Sequence, residues 1–279
     1  MSRGWTDRSF VVYVVSMDIP LWFATLPVWL AFIVIVVIPT AVAMLGPVLI
    51  RRHLSLDHLM ENNEVAGFKF AVLGVLYAVL LGFAVIVVWD KFRDAESAVL
   101  QEAGTSLTLA RLSDGLPAEE GKALRDGLAK YLRIAISDDW PAMYHGKINR
   151  SGIRAVNDLY MDVLANHPTD LRGAALQSEM LAQLNLLTQA RRARIVLAEG
   201  VVPGVIWAAM FAGAFATVGF MFFFGATNLR AQVVMTGLLT ATVFMGMMAI
   251  LLVNRPFTGD ISVGPEPLQG VLQEYFGGG

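Results

Sequence analysis

The sequence predicts an all-α integral membrane protein, with four transmembrane helices and a helical cytoplasmic domain inserted between the second and the third. Hydrophobic residues make up 56% of the 279 residues and charged residues only 16%, whereas an ordinary soluble domain has about 25% charge. Residues 19–50, 70–89, 201–229 and 231–253 contain no Asp, Glu, Lys or Arg, and uncharged stretches of about 18 or more residues are typical of membrane spans. With a net charge of −2, the composition excludes a soluble enzyme, a disordered chain and a basic nucleic-acid-binding protein.

The first two spans are expected within residues 21–89, after an N-terminal interfacial segment at residues 1–20. The first apolar run, residues 21–50, is longer than the roughly 20 residues that cross a bilayer, which implies tilt or a kink. Kinks are expected at its three prolines, Pro27, Pro39 and Pro47.

The second span, Phe68 to Trp89, continues without a helix breaker into the polar region. Apolar residues recur at three- and four-residue spacing as far as Leu112, which predicts one helix of about 45 residues and roughly 65 Å. This helix is expected to project beyond the bilayer as a stalk.

Residues 90–200 are predicted to form the helical extramembrane domain, since they hold 14 of the 21 basic and 15 of the 23 acidic residues. Two shorter helices, one after Pro117 and one over residues 149–166, lie between the first stalk and a second long helix that Asp170 caps. Residues 201–253 are expected to form a hairpin of spans three and four, and residues 254–279 a C-terminal tail with a short amphipathic helix.

The distribution of Lys and Arg near the span ends predicts the orientation. With four spans, both termini and the domain share one side of the membrane, and eight basic residues lie there against four on the other. The eight are Arg3, Arg8, Lys91, Arg93, Arg191, Arg192, Arg194 and Arg255, and the four are Arg51, Arg52, Lys69 and Arg230. This excess favours an orientation with the helical domain and both termini in the cytoplasm.

No motif for catalysis, a cofactor or a metal is found. The chain has no cysteine, its four histidines lack zinc spacing, and it contains no phosphate-binding loop, nucleophile elbow or dinucleotide fingerprint. Adjacent acidic pairs such as Asp138-Asp139 point in two directions on a helix and are interpreted as solvated surface. We therefore expect neither an enzyme nor a cofactor.

A stripe of small residues runs down the second span. Its members are Gly67, Ala71, Gly74, Ala78 and Gly82, and such spacing allows helix backbones to approach closely in lipid. The stripe is interpreted either as a helix-packing seam or as part of a pore wall. Tyr77 belongs to the same set of candidates, because its hydroxyl is able to bond between helices.

Charged residues at the span ends are the remaining candidates. Those at the possible entrance of a pore are Glu64, Lys69 and Arg230, for which snorkelling toward the lipid headgroups is the alternative reading. Arg255 directly follows the fourth span and is predicted to contact an acidic residue of the stalk. The possible partners are Asp90, Asp94 and Glu102, and contact with lipid phosphate is the alternative.

Several short segments resemble the bestrophin-like family of bacterial membrane proteins. They are Glu64–Phe68, Leu76–Phe83, Val88-Trp89, Glu102-Ala103, Pro203 with Trp207, and Asn254–Gly259. Their order and spacing cover about residues 60–275.

The resemblance implies a relationship to bestrophins, which are homo-oligomeric anion channels with four membrane helices and cytoplasmic helices around a central pore. The partners that it implies are the lipid bilayer, further copies of the chain and small inorganic anions. No position matches the calcium site of bestrophins. The alternative hypothesis is a non-conducting membrane scaffold or sensor whose helical domain binds partners.

Overall fold

The computed structural model describes residue 23, residues 25–61 and residues 63–277. Every regular element in these ranges is a helix, as the hydrophobic patterning predicts. The interfacial segment expected at residues 1–20 lies outside the described residues.

Within the described ranges, four helices are long and apolar enough to cross a membrane. They are α1 (Val28–His53), α3 (Asn63–Ser113), α8 (Gly204–Met221) and α9 (Leu229–Val253), with the short helix α2 (Leu56–Glu61) between the first two. The Asn63 side chain donates to the Gly225 carbonyl at 2.6 Å and accepts from its backbone N–H at 3.0 Å. The start of α3 and the turn between α8 and α9 therefore lie at the same end of the bundle.

The prolines of α1 have three different effects. A π-helical turn at Ile33–Val37 precedes Pro39; in a regular α-helix the ring of this proline would clash with the carbonyl of Ile35, four residues earlier. The wider turn accommodates the ring. Pro47 lies within the helix without a π turn, and Pro27 directly precedes the first helical residue.

Helix α3 contains 51 residues, about 75 Å at 1.5 Å per residue. It confirms the prediction of one continuous helix from the second apolar stretch into the polar region, and it begins five residues before the predicted Phe68. The same rigid helix thus contributes to both parts of the molecule.

The other helices are α4 (Ala118–Ile134), α5 (Trp140–Tyr144), α6 (Ser151–Ala165), α7 (Leu171–Leu197) and α10 (Glu266–Phe276). The Asp170 carboxylate accepts from Gly173 N at 2.7 Å, which confirms the predicted N-cap of α7. The sequence pattern did not predict α5 or the π-helical turn before it, Ala135–Asp139. This turn again precedes a proline, Pro141, and so accommodates its ring.

The buried side chains form two main cores. One lies among α1, α3, α8 and α9 and includes Trp207 and Met210. The other lies among the second half of α3 and α4, α6, α7 and α10, and includes Leu128, Leu159 and Leu184. Helix α7 packs along the second half of α3 and returns the chain to α8.

Candidate functional site

The small residues of α3 face outward from the protomer. At Gly74 and Gly82, no other part of the chain lies within 4 Å of where a Cβ atom would be, and at Gly67 a single ring carbon lies at 3.9 Å. Ala71 and Ala78 are exposed. The stripe therefore forms no packing seam with the part of the chain that the structure describes.

Tyr77 lies on a different face of α3 from the stripe. Its side chain is buried, and its ring occupies the space that a side chain at Gly213 of α8 would need. Leu80 and Leu81 pack partly buried against the same core. Within the protomer, Tyr77 is thus a helix-packing residue.

Large apolar side chains cover the face of α3 opposite Tyr77. Phe68, Val75 and Ile86 are exposed by 75%, 63% and 56%, and a rotation of 100° per residue places them about half a turn from Tyr77. Neither this face nor the small-residue stripe on its flank is covered by the residues that the structure describes.

The three predicted entrance charges lie at the end of the bundle away from the helical domain. Glu64 and Lys69 are exposed in the first turns of α3, and Arg230 is exposed at the start of α9. In the ranges that the structure describes, none of the three forms an ion pair. Lys69 is the only charged residue of α3 between positions 65 and 89.

The predicted ion pair between Arg255 and the stalk is wrong. Glu102 is enclosed within the domain by other partners, and Asp94 pairs with Lys91 at 3.1 Å. Asp90 is exposed and forms no ion pair with any described residue. Since Glu102 lies 12 residues beyond Asp90, about 18 Å further along α3, it is too deep in the domain for a residue at the span end.

A buried network of charges occupies the centre of the domain instead. The Arg194 guanidinium donates from Nε to Glu102 Oε2 at 2.6 Å and from Nη2 to Glu102 Oε1 at 2.9 Å. The same Nη2 donates to Asp139 Oδ2 at 3.2 Å, and Arg191 Nη2 donates to that oxygen at 3.2 Å. The Tyr131 hydroxyl donates a short hydrogen bond to Glu102 Oε1. We call these five residues the buried charge network.

The network contains two positive and two negative side chains almost without contact with solvent. Arg194 and Glu102 are fully buried, and Asp139 and Arg191 are 2% and 5% exposed. Burial alone would lower the pKa of Arg194, but the adjacent Glu102 carboxylate raises it above its ordinary value. The guanidinium also lies over the Trp140 ring, 4.5 Å from its centroid. The network thus joins α3, α4, α7 and the π turn by paired charges.

A pattern in the sequence could have revealed part of this network. Five of the six buried residues of α7 follow one another at spacings of four, three, four and three; they are Met180, Leu184, Leu187, Arg191 and Arg194, and Ala190 is the sixth. Two arginines thus continue an apolar stripe, and Glu102 lies at the equivalent spacing after Ala95 and Val99. Opposite charges at buried positions of two helices would have predicted a pair between them.

Asp139 reaches the network because of the π turn. The interpretation of Asp138-Asp139 as solvated surface is wrong for Asp139, which is buried, whereas Asp138 accepts from the hydroxyl of Ser137 at the surface. The π turn Ala135–Asp139 inserts a residue and changes the direction of the following side chains. A regular helical pattern does not predict this rotation.

Tyr131 gives the network a measurable response to alkaline pH. Burial, and then the negative Glu102, raise the pKa of its hydroxyl well above the ordinary 10.0. In the unfolded chain the hydroxyl ionises near pH 10, so the stability that it contributes is complete below that pH and is lost as the pH rises through the folded-state pKa. Tyr131→Phe should lower the unfolding free energy at neutral pH by about 1.5–3 kcal/mol, because a hydrogen bond to a charged group is lost. It should also reduce the fall in Tm above about pH 10.

Thermal unfolding in detergent at neutral and alkaline pH measures both effects. Tyr160→Phe is the matched control, because its hydroxyl makes only 3.4 Å contacts, with Asn185 and Thr188. An equal pH dependence of Tm in wild type and Tyr131→Phe would contradict the role of Tyr131.

The chain after α9 joins the spans to the domain. We call residues 254–263 the junction segment. Asn254 Oδ1 accepts from the backbone N–H groups of Val201 and Val202, at 3.1 and 2.9 Å, just before α8. Asp260 Oδ2 accepts from Val28 N at 3.0 Å, at the start of α1. The junction segment thus bonds the first N–H of α1 and the backbone that leads into α8.

An aromatic contact continues the junction segment into the domain. Phe257 is 2% exposed and packs with Ala95 and Met143, and its ring meets the edge of Trp140 at 6.0 Å. Trp140 Nε1 donates to the Val263 carbonyl at 3.2 Å. Because Trp140 also covers Arg194, the junction segment directly adjoins the buried charge network.

The arrangement offers structural rather than ligand-binding chemistry. Among the residues described, no three His, Asp or Glu side chains come together in a way that could hold a metal ion. The carboxylates of the buried charge network are neutralised by arginines of the same chain. The site therefore fixes the helical domain to the apolar helices.

The comparisons with known proteins agree on one family. The model of the Bestrophin-like domain matches residues 20–268. A crystal structure of a point variant of a bacterial bestrophin homologue from Klebsiella pneumoniae has a TM-score of 0.63 and 14% identity, over 86% of this chain and 98% of that chain. A second crystal structure, of a membrane protein variant, has the same score and identity, over 85% and 97%.

A search of curated proteins found no match. At 14% identity the two solved structures show the fold alone, and the family model covers most of the chain. The four apolar helices and the family match make this a membrane protein. The chain belongs to the Bestrophin-like family.

Proposed function

We propose that this protein is a homo-oligomeric channel for small anions, rather than an enzyme, in the bacterial inner membrane. The observation that carries the proposal is the uncovered outer face of α3. Its large apolar side chains and its small-residue stripe have no partner among the described residues 25–61 and 63–277, whereas its opposite face packs on α8 through Tyr77.

Copies of the chain arranged around an axis would use both uncovered surfaces of α3. The face with Phe68, Val75 and Ile86 would point toward the axis, and a hydrophobic constriction of this kind is able to gate by dewetting. The stripe with Gly74 and Gly82 lies on the flank, where small residues allow the neighbouring copy to approach closely. The second half of α3 would continue the same axis as a vestibule.

The charges of α3 support a preference for anions. Between Glu64 and Asp90 the helix has no acidic residue, and its one charge there is Lys69. Rings of charged side chains set the selectivity of pores. Lys69 lies near the start of α3, about 100° around the helix from Phe68, so repeated copies of α3 would place a ring of positive charges at the pore mouth and no negative charge within the apolar stretch.

The proposed orientation places the domain and both termini in the cytoplasm. The contact between Asp260 and Val28 supports a common side for the start of α1 and the tail. Exposed Lys91, Arg93 and Arg192 lie on the domain side of the spans, as expected for cytoplasmic loops. The sequence places eight basic residues on the domain side of the membrane. Two of them, Arg191 and Arg194, are enclosed in the buried charge network and do not face lipid.

Ion flux from liposomes containing the purified protein tests the proposal. Chloride should leave the vesicles and potassium should not. Lys69→Glu should lower the ratio of chloride to potassium flux severalfold, because it reverses the charge of the proposed ring. Glu64→Gln, the matched control one turn earlier, should leave the ratio unchanged or raise it. No flux from a closed oligomer would contradict the proposal.

The alternative of a non-conducting scaffold or sensor is supported by a different surface. A cavity of about 350 Å³ opens between α6 and α7, and Ile153, Val156, Ile195 and Val196 contribute to its apolar lining. An apolar side chain of a partner would fit there. A monomer or sealed dimer without flux would favour this alternative.

A further inference from the structure

The loop between α5 and α6 has an unusual concentration of positive charge. Residues 140–157 contain no Asp or Glu, and Lys147, Arg150 and Arg154 are all exposed. None of the three forms an ion pair with any residue that the structure describes. We call residues 145–154 the basic loop.

The end of α5 fixes the direction of the basic loop. Gly146 has a φ of 64°, and its N–H donates to the Met143 carbonyl at 2.9 Å while Lys147 N donates to the Ala142 carbonyl at 2.8 Å. This pair of bonds is a Schellman motif, which stops a helix at a residue in the left-handed conformation that glycine favours. The loop is thus held by its backbone, and its cationic side chains remain free.

The basic loop shares a small cavity with residues that lie close to the span ends in sequence. The cavity, of about 80 Å³, is lined by Lys147 and Asn149 from the loop, by Glu199 and Arg255, and by Asp139 of the buried charge network. Arg255 lies two residues after the end of α9, and Glu199 lies four residues before Pro203 at the start of α8. The loop therefore lies next to the segments that join the domain to α8 and α9.

Exposed apolar side chains stand among these cations. Ile148 is 59% exposed and Ile153 is 47% exposed. Apolar residues flanked by Lys and Arg are typical of segments that lie in a membrane interface, where the apolar groups enter the acyl boundary and the cations meet phosphate.

The nearby acidic residues cancel only part of this charge. Asp158 is already paired with Lys130 at 3.2 Å. Asp138 accepts from the hydroxyls of Ser137 and Ser151 and keeps its negative charge, and Glu199 lines the small cavity together with Lys147 and Arg255. The three cations of the basic loop and Arg255 outnumber these two carboxylates, so the surface keeps a positive charge.

We propose that the basic loop is a docking site for anionic phospholipid headgroups, with Lys147, Arg150 and Arg154 binding the phosphates and Ile148 inserted at the acyl boundary. Cations near a membrane surface are attracted to anionic lipids over about a Debye length. The inference requires that the spans cross a bilayer and is independent of whether the protein conducts ions.

A single-cysteine label tests the proposal cleanly, because the chain has no native cysteine. An environment-sensitive fluorophore is attached to the cysteine of the Ile148→Cys variant. The labelled protein is then placed in two kinds of nanodisc, one of phosphatidylcholine alone and one that also contains phosphatidylglycerol. We expect the emission to shift to the blue and quenching by acrylamide to fall when phosphatidylglycerol is present. High salt should reverse part of the shift.

Two controls separate lipid binding from other causes. Leu171→Cys is the matched label position, since Leu171 is 90% exposed and lies at the far end of α7, about 40 Å from Leu197. Its label should remain aqueous in both lipids. The second control adds three substitutions to Ile148→Cys, namely Lys147→Gln, Arg150→Gln and Arg154→Gln. In this variant, phosphatidylglycerol should no longer shift the emission or reduce the quenching.

Three results would overturn the proposal. A label at Ile148 that stays aqueous in phosphatidylglycerol shows that no insertion occurs. A label protected equally in detergent and in both lipids shows contact with protein instead. A triple glutamine variant that keeps the full response removes the role of the cations. These experiments measure fluorescence and not ion flux. They therefore test lipid binding even if the protein does not conduct ions.

Discussion

Arg194→Met should lower the unfolding free energy by about 3–5 kcal/mol, which is the cost of removing one partner of a buried ion pair. The methionine leaves the fully buried Glu102 carboxylate with only the Tyr131 hydroxyl as a hydrogen-bond donor. Asp139 keeps only Arg191. For a chain of this size, the change corresponds to a fall in Tm of about 6–20 °C, measured by thermal unfolding in detergent.

An exposed ion pair provides the control for Arg194→Met. Lys130 and Asp158 are 62% and 59% exposed, so Lys130→Met should cost less than about 1 kcal/mol. Adding Glu102→Gln to Arg194→Met should recover part of the loss, because it removes the unpaired charge. If Arg194→Met and Lys130→Met have equal Tm values, the buried charge network does not stabilise the domain.

Gly74→Leu should leave the protomer folded and abolish its assembly and its flux. Nothing in the protomer lies within 4 Å of where the new Cβ atom would be, and leucine favours a helix over glycine by nearly 1 kcal/mol. Between copies, however, overpacking costs about 1–3 kcal/mol for each contact, or roughly 5–150-fold in association. Size-exclusion chromatography and liposome flux measure the two effects.

Gly270→Leu is the matched control for Gly74→Leu. Gly270 also has open space around its Cβ position and lies in a helix, but in α10 and not in an apolar span. This variant should assemble and conduct as the wild type does. A Gly74→Leu protein with a normal oligomer and normal flux would refute the placement of the small-residue stripe between copies.

The regular periodicity of the sequence predicts the helices well, because a single repeating pattern determines each of them. The apolar run and its extension predict α3, and Asp170 predicts the start of α7, since these signals are local. The π turns are not predicted, because they depend on how a helix relieves the clash of Pro39 or Pro141 with an earlier carbonyl. Whether a helix forms a π turn or bends at a proline depends on the packing around it.

The candidate site is only partly predicted from the sequence. The spacing of small residues predicts the stripe with Gly74 on one face of α3. It does not predict whether that face packs against the same chain or against another copy. The predicted contact of Arg255 with Asp90, Asp94 or Glu102 is wrong, because charge and sequence order alone do not determine which side chains meet. The true partner, Arg194, is 92 residues away from Glu102, and the contact depends on the register between two long helices.

The hydrogen bond from Val28 to Asp260 also sets an order of events during synthesis. The two residues are separated by 232 positions, and a ribosome adds about 5–20 residues per second, so the acceptor emerges roughly 10–50 seconds after the donor. Until then, water or lipid headgroups must satisfy the first N–H of the first membrane helix. A product that stops before position 260 never acquires this bond, so the first N–H of α1 keeps depending on water or headgroups.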